Sequence, residues 1–122
     1  MKAITANLLV ESIEASLPFW EDRLGFTRVT EVPEGDALGF VILARGETRL
    51  MLQSLASVKG DVPPMATQPS RTTLYIDVED LEAIKRALGD WPRVVPERTT
   101  FYGAREVIVQ CPAGNYVFFA QH

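Results

Sequence analysis

An α+β fold made of two tandem βαβββ modules is what this 122-residue sequence predicts, and three observations carry the prediction. The first is an internal repeat. Val10-Glu11-Ser12-Ile13-Glu14-Ala15 returns 68 positions later as Val78-Glu79-Asp80-Leu81-Glu82-Ala83, with the two non-identical pairs keeping their chemistry as core (Ile/Leu) and helix cap (Ser/Asp). The same shift carries Thr5 onto Thr73, Gly46 onto Gly114 and Gln53 onto Gln121. The second is period-two alternation just before each copy, the mark of a strand. The third is a set of turn signals after each copy that cuts the remainder into short strands.

The elements follow in order. Ile4, Ala6, Leu8 and Val10 alternate with Thr5, Asn7 and Leu9 over a first strand. Ser12 caps a helix whose apolar positions Ile13, Leu17, Trp20 and Leu24 recur at steps of three and four, and Gly25 stops it. Pro18 lies beyond the first turn of that helix, so either a kink or a start near Ser16 is expected. Strands follow at Phe26–Val32, Leu38–Arg45 and Thr48–Gln53, separated by Pro33-Glu34-Gly35-Asp36 and Arg45-Gly46-Glu47. A Pro/Ser/Gly-rich connection runs from Ser54 to Ser70, long enough to suggest a functional lid. The second module repeats the order: strand Thr72–Val78, helix Leu81–Leu88 between Asp80 and Gly89, then strands near Arg93–Val95, Ala104–Gln110 and Tyr116–Gln121. The expected organisation is a single domain over 1–122, comprising module 1–54, loop 55–70 and module 71–122.

Composition narrows the classes. Hydrophobic residues at 47% and charged residues at 23% describe a chain able to bury a core. No apolar run approaches the roughly 20 residues of a membrane helix, and the start Met1-Lys2-Ala3-Ile4-Thr5 lacks a signal-peptide hydrophobic region. One cysteine, Cys111, excludes an internal disulfide and fits a reducing cytoplasm. The net charge is −4 and the basic residues are scattered, which leaves no footprint for nucleic acid.

The stretch Val10–Phe26, with its capped helix, the aromatic pair Phe19-Trp20 and Leu24-Gly25-Phe26, resembles the vicinal oxygen chelate superfamily. That superfamily holds glyoxalase I, bleomycin-resistance proteins, fosfomycin-resistance enzymes and extradiol dioxygenases. Tyr102-Gly103-Ala104-Arg105-Glu106 continues the resemblance, as does Cys111-Pro112-Ala113-Gly114-Asn115, which stands where the family usually has Asp-Pro-Asp-Gly-Asn. The resemblance covers essentially the whole chain. It implies a curved mixed sheet around a cleft, a homodimer, and in the enzymes a divalent metal held by His, Glu or Gln from the first and last strands of each module. Here those positions fall on Thr5, Thr73, Met51 (or Leu50, one step away) and Phe118. Hydroxyl, thioether and phenyl groups are unsuited to hard divalent ions, so neither metal nor other cofactor is expected.

Other routes to chemistry are thin. His122 reads as a solvated tail and Cys111 as an inert structural thiol without a neighbouring histidine. Glu106 and Asp77 are candidate general bases if buried together. Otherwise Glu106 pairs with Arg105 or caps backbone, and Asp77 sits at a strand end in solvent.

Strand alternation assigns the side chains facing the cleft. Thr5 and Asn7 come from the first strand, Arg49, Met51 and Gln53 from the fourth, Thr73 and Tyr75 from the fifth. Phe118 comes from the last strand, and Phe101 and Tyr102 from the preceding loop. Such an apolar, aromatic pocket with a few polar groups is the usual make-up of a small-molecule site. Trp20 is expected in the core, and Trp91 either packs plainly, rims the cleft of a partner subunit or stacks on a flat ligand. The expected function is that of a bleomycin-resistance-like homodimer binding a small cationic or aromatic molecule, without metal or catalysis. Two alternatives stand beside it. One is a lyase, isomerase or dioxygenase with a displaced metal site, or with acid–base chemistry on Glu106 or Tyr75, which a stoichiometric metal would mark. The other is a structural or regulatory module, marked by the absence of any cavity.

Overall fold

Two four-stranded mixed sheets, ordered β1-β4-β3-β2 and β5-β8-β7-β6, form the framework of the computed structural model, which describes residues 1–122. The chain divides into two units, Met1–Ser70 and Arg71–His122, each holding one sheet. The first sheet comprises β1 (Asn7–Val10), β2 (Thr27–Glu34), β3 (Ala37–Arg45) and β4 (Thr48–Ser54). The second comprises β5 (Thr73–Asp77), β6 (Arg98–Thr99), β7 (Arg105–Gln110) and β8 (Tyr116–Gln121). In each, the first strand pairs parallel with the last and the remaining pairs are antiparallel. This is the α+β, repeated strand–helix–three-strand order expected from the sequence.

The first repeat copy opens on Ser12, whose Oγ accepts a bond from Ala15 N at 3.2 Å and closes a turn; Ser12 does not cap the helical segment, whose N-cap is Leu17 without a side-chain bond. Regular winding starts only at Pro18, two residues past Ser16, because proline fits the first helical position, where its missing N–H has no partner to lose. The segment Pro18–Arg23 is wound wider than an α-helix: Leu24 N donates to Phe19 O, five residues back, at 3.2 Å. The predicted apolar positions Ile13, Leu17, Trp20 and Leu24 are all buried. Trp20 sits edge-on between Phe19 and Phe26, with ring centroids 5.0 and 5.4 Å away, a geometry that suits aromatic quadrupoles.

The segment expected to be a loop is instead partly helical. Ser54 is an N-cap, its Oγ accepting from Ser57 N at 3.1 Å, and α1 runs over Leu55–Asp61 before a 3-10 turn at Pro63–Met65. Gly39 of β3 is buried; a side chain there would meet Glu34 and Ser57 of this helix's first turn. In the second unit α2 spans Leu81–Leu88, with Asp80 Oδ1 accepting from Ala83 N at 3.1 Å. Leu81, Ile84 and Leu88 are buried on its inner face, and each contributes on the order of 1.5–3 kcal/mol. The expected strand at Arg93–Val95 is reduced to a single bridge, Arg93 to Val109, and the edge strand β6 lies five residues further on. No helix is long and apolar enough to cross a membrane.

Candidate functional site

Strand register in the second unit gathers a group of polar and aromatic side chains on one face of its sheet. Tyr75 of β5 stands beside Phe118 of β8, their ring centroids 6.2 Å apart. Ile108 lies opposite Phe118, and Glu106, two residues earlier on β7, lies opposite Ala120. On its other side Glu106 faces Arg98 of β6. The turn after β6 is closed by Gly103 N to Thr100 O (3.0 Å) and by Ala104 N to Thr100 Oγ1 (3.0 Å). Gly103 takes φ +90°, open to glycine and strained for other residues. That turn holds up Phe101, fully exposed, and Tyr102, about half exposed. Tyr75, Arg98, Tyr102, Glu106 and Phe118 line an open depression of about 460 Å³ together with the turn residues.

Glu106 is the floor of this depression. Only 2% of it is exposed, a position that a carboxylate occupies at a cost unless it is paired. Arg98 Nε donates to it at 3.0 Å and Tyr102 Oη at 3.3 Å. The Arg98 guanidinium also lies 5.9 Å from the centre of the Phe118 ring. The phenol of Tyr75 is pushed up to about 12, first by its hydrogen bond with Tyr102, then by burial and the nearby charges. At neutral pH it is therefore a protonated donor. Its oxygen is also 3.2 Å from His122 Nε2, which lies 3.1 Å from Asp77 Oδ1, and the imidazole stacks on Tyr102 at 5.9 Å.

Several expectations change here. Glu106 does not pair with Arg105: alternation along β7 sends Arg105 to the opposite face, where it bonds Glu82 (2.7 Å) and Glu97 (2.8 Å). With Lys85, whose Nζ lies 2.7 Å from Glu97, Arg105 lowers both carboxylates below their usual range, Glu82 chiefly through Arg105 and Glu97 chiefly through Lys85. Glu106 and Asp77 are not buried together, since the Asp77 side chain is 74% exposed at the end of β5. His122 is not a free tail, because the parity of β8 returns it to the same face as Phe118. Arg98, which belongs to none of the elements expected from the sequence, lies on β6 and supplies the bond to Glu106.

Of the ten residues assigned to a cleft, five lie in the second unit. Tyr75, Tyr102 and Phe118 line the depression with Phe101 on its turn, whereas Thr73 stands further along β5 beside Tyr116. The other five belong to the first unit. Asn7 stands beside Met51, and Asn7 Nδ2 donates to Gln53 Oε1 at 3.0 Å. Gln53 Nε2 in turn donates to Ser57 Oγ (3.2 Å) and Asp61 Oδ2 (3.3 Å) of α1, so this buried amide ties the strand pair to the helix. Arg49 is exposed, Met51 half-buried, and Thr5 half-buried ahead of β1. Trp91 is half-buried with Nε1 donating to Gln110 O at 2.9 Å. Cys111 is buried in the turn before β8.

Thr5, Met51, Thr73 and Phe118 do not make a donor set for a hard divalent ion, and Phe118 instead carries Tyr75 and Arg98 against its ring. Nowhere do three His, Cys, Asp or Glu side chains converge at coordinating geometry.

A family model described as the Glyoxalase/Bleomycin resistance protein/Dioxygenase superfamily matches residues 3–119. Among solved structures, the chain is similar to lactoylglutathione lyase from Agrobacterium tumefaciens (20% identity, covering 99% of this chain and 94% of that one, TM-score 0.77). It is also similar to TioX from Micromonospora sp. ML1 (15%, 100% and 99%, TM-score 0.80). A bleomycin-binding protein complexed with bleomycin is a third (20%, 100% and 99%, TM-score 0.67). At these identities the likeness concerns the fold. No curated protein sequence matches.

Proposed function

The chain belongs to the glyoxalase/bleomycin resistance protein/dioxygenase superfamily, and from that premise we propose that it binds a small aromatic molecule without transforming it. The observation that carries this reading is the exposed aromatic group of Tyr75, Phe101 and Tyr102 around the depression in the second unit. Soluble proteins leave such groups open where something packs on them, and exposed rings offer an aromatic ligand faces and edges to pack against. The unsuitable donor set at the family's metal positions argues against chemistry that depends on a cation there. The relative that is complexed with bleomycin makes that compound the first to test. A homodimer and a cytoplasmic setting belong to the same proposal. The first draws support from β2, an edge strand exposed along its whole length with Val29 and Val32 half exposed, and the second from the single unpaired cysteine.

The test is a thermal-shift and calorimetric screen of bleomycin and planar aromatic compounds against the wild type and Tyr102→Ala. Saturable binding that weakens in the variant is the expected result. A screen in which no aromatic compound binds, or binding indifferent to Tyr102→Ala, would refute it. Light scattering of the purified chain reads the dimer; a monomer at all concentrations removes that part.

A further inference from the structure

We propose that Arg98 determines which aromatic ligands this site accepts, by taking a carboxylate on the ligand through its two Nη nitrogens. The proposal deepens the binding reading above and rests on it. Three observations carry it. First, Arg98 is anchored and yet unsaturated: Nε is bound to Glu106 at 3.0 Å and the guanidinium lies over the Phe118 ring, while neither Nη has a partner in the chain. A guanidinium fixed at one edge offers its other donors in a preset plane, which matches the two oxygens of a carboxylate. Secondly, Arg98 is half exposed and borders the depression, so those donors are open to a ligand lying on the aromatic rings.

Thirdly, the floor of the site offers little to a cation. Glu106 is almost fully buried, and each of its oxygens already accepts a bond, one from Arg98 and one from Tyr102. Asp77, the next carboxylate, is exposed and lies against His122. The net charge of −4 favours a cation at long range. Salt screens that field over about 8 Å, however, so the hydrogen-bonding groups within the depression decide. Glu106 neutralises part of the Arg98 charge, so the selection is short-ranged and geometric.

The test uses three ligands of one shape: 2-naphthoate, 2-naphthalenemethanol and 2-naphthylmethylammonium. Each is titrated calorimetrically into the full chain at about 0.15 M salt, where long-range fields are screened. In the wild type naphthoate is expected to bind about tenfold tighter than the alcohol, the scale of one charge-assisted hydrogen bond at a half-exposed position, and the ammonium weakest. Arg98→Gln is expected to bring the naphthoate-to-alcohol ratio close to one. The double variant Arg98→Gln/Glu106→Gln must do the same while removing the stranded carboxylate, which covers the case in which the single variant folds poorly. Equal affinities in the wild type, a preference for the ammonium, or a ratio that survives in the double variant would overturn the Arg98 proposal and leave aromatic binding standing. Failure of all three to bind would overturn this inference, while the binding reading itself is decided by the screen that includes bleomycin.

Discussion

Replacing Arg98 with alanine strands a buried carboxylate, and the cost can be bracketed from the structure. Glu106 is 2% exposed and its strongest contact is the 3.0 Å bond from Arg98 Nε. What remains is Tyr102 Oη at 3.3 Å, long beside the roughly 2.5–2.7 Å of a strong bond from hydroxyl to carboxylate. Breaking a fully buried pair costs about 3–5 kcal/mol, whereas an exposed pair contributes about 0.2–1 kcal/mol. Arg98 itself is 51% exposed, so water enters where its side chain is cut away. The expected loss is therefore intermediate, about 1–3 kcal/mol, the penalty for a buried polar group left short of partners. For a chain of this size each kcal/mol lowers the melting temperature by about 3–5 °C. Urea unfolding of the wild type, Arg98→Ala, Glu106→Gln and the double variant closes a cycle. Because a neutral amide needs no counter-ion, the double variant is expected to be more stable than Arg98→Ala alone. An Arg98→Ala unfolding free energy within about 0.5 kcal/mol of wild type, the range of an ordinary surface change, would refute the reasoning, as would a double variant whose loss is the sum of the singles.

Two further outcomes are expected. In an ultraviolet titration of the three tyrosines, one phenol, Tyr75, should ionise last, near pH 12, and Tyr102→Phe should bring it down toward the ordinary value near 10. Because the folded chain holds that proton longer than the unfolded chain, the associated stability is complete below about pH 10 and is lost as the pH rises toward 12; three tyrosines ionising together would contradict the geometry. Gly39→Ala sets a Cβ 2.8 Å from Glu34 Cβ and 3.2 Å from Ser57 Cβ, and should cost about 1–3 kcal/mol as overpacking does. An unchanged denaturation midpoint would mean that α1 does not press on β3.

How legible the site was depended on the range of the interaction. Tyr75 and Phe118 were readable because alternation along a strand is local, and the same parity applied to β7 would have put Glu106 on their face. The cap signal for α1 was also present, as Ser54 before Leu55 and Val58, but the flanking prolines and glycine made the segment read as a loop. Arg98 left no comparable signal. β6 has only two residues, too few for any period, and it is a strand because β7 offers it an edge.

By itself the sequence determined the doubled architecture, the cap at Asp80 and the buried sets around Trp20 and Leu81. Those features follow from periodicity, side-chain polarity and backbone preference within a few residues of each position. Only the tertiary structure decided that Glu106 faces Arg98 rather than Arg105, that Tyr102 closes over that pair, and that His122 returns to Tyr75. Each of these joins separate strands or turns. Register, a long-range property set by packing and hydrogen bonding together, selects the partner that a buried charge finds.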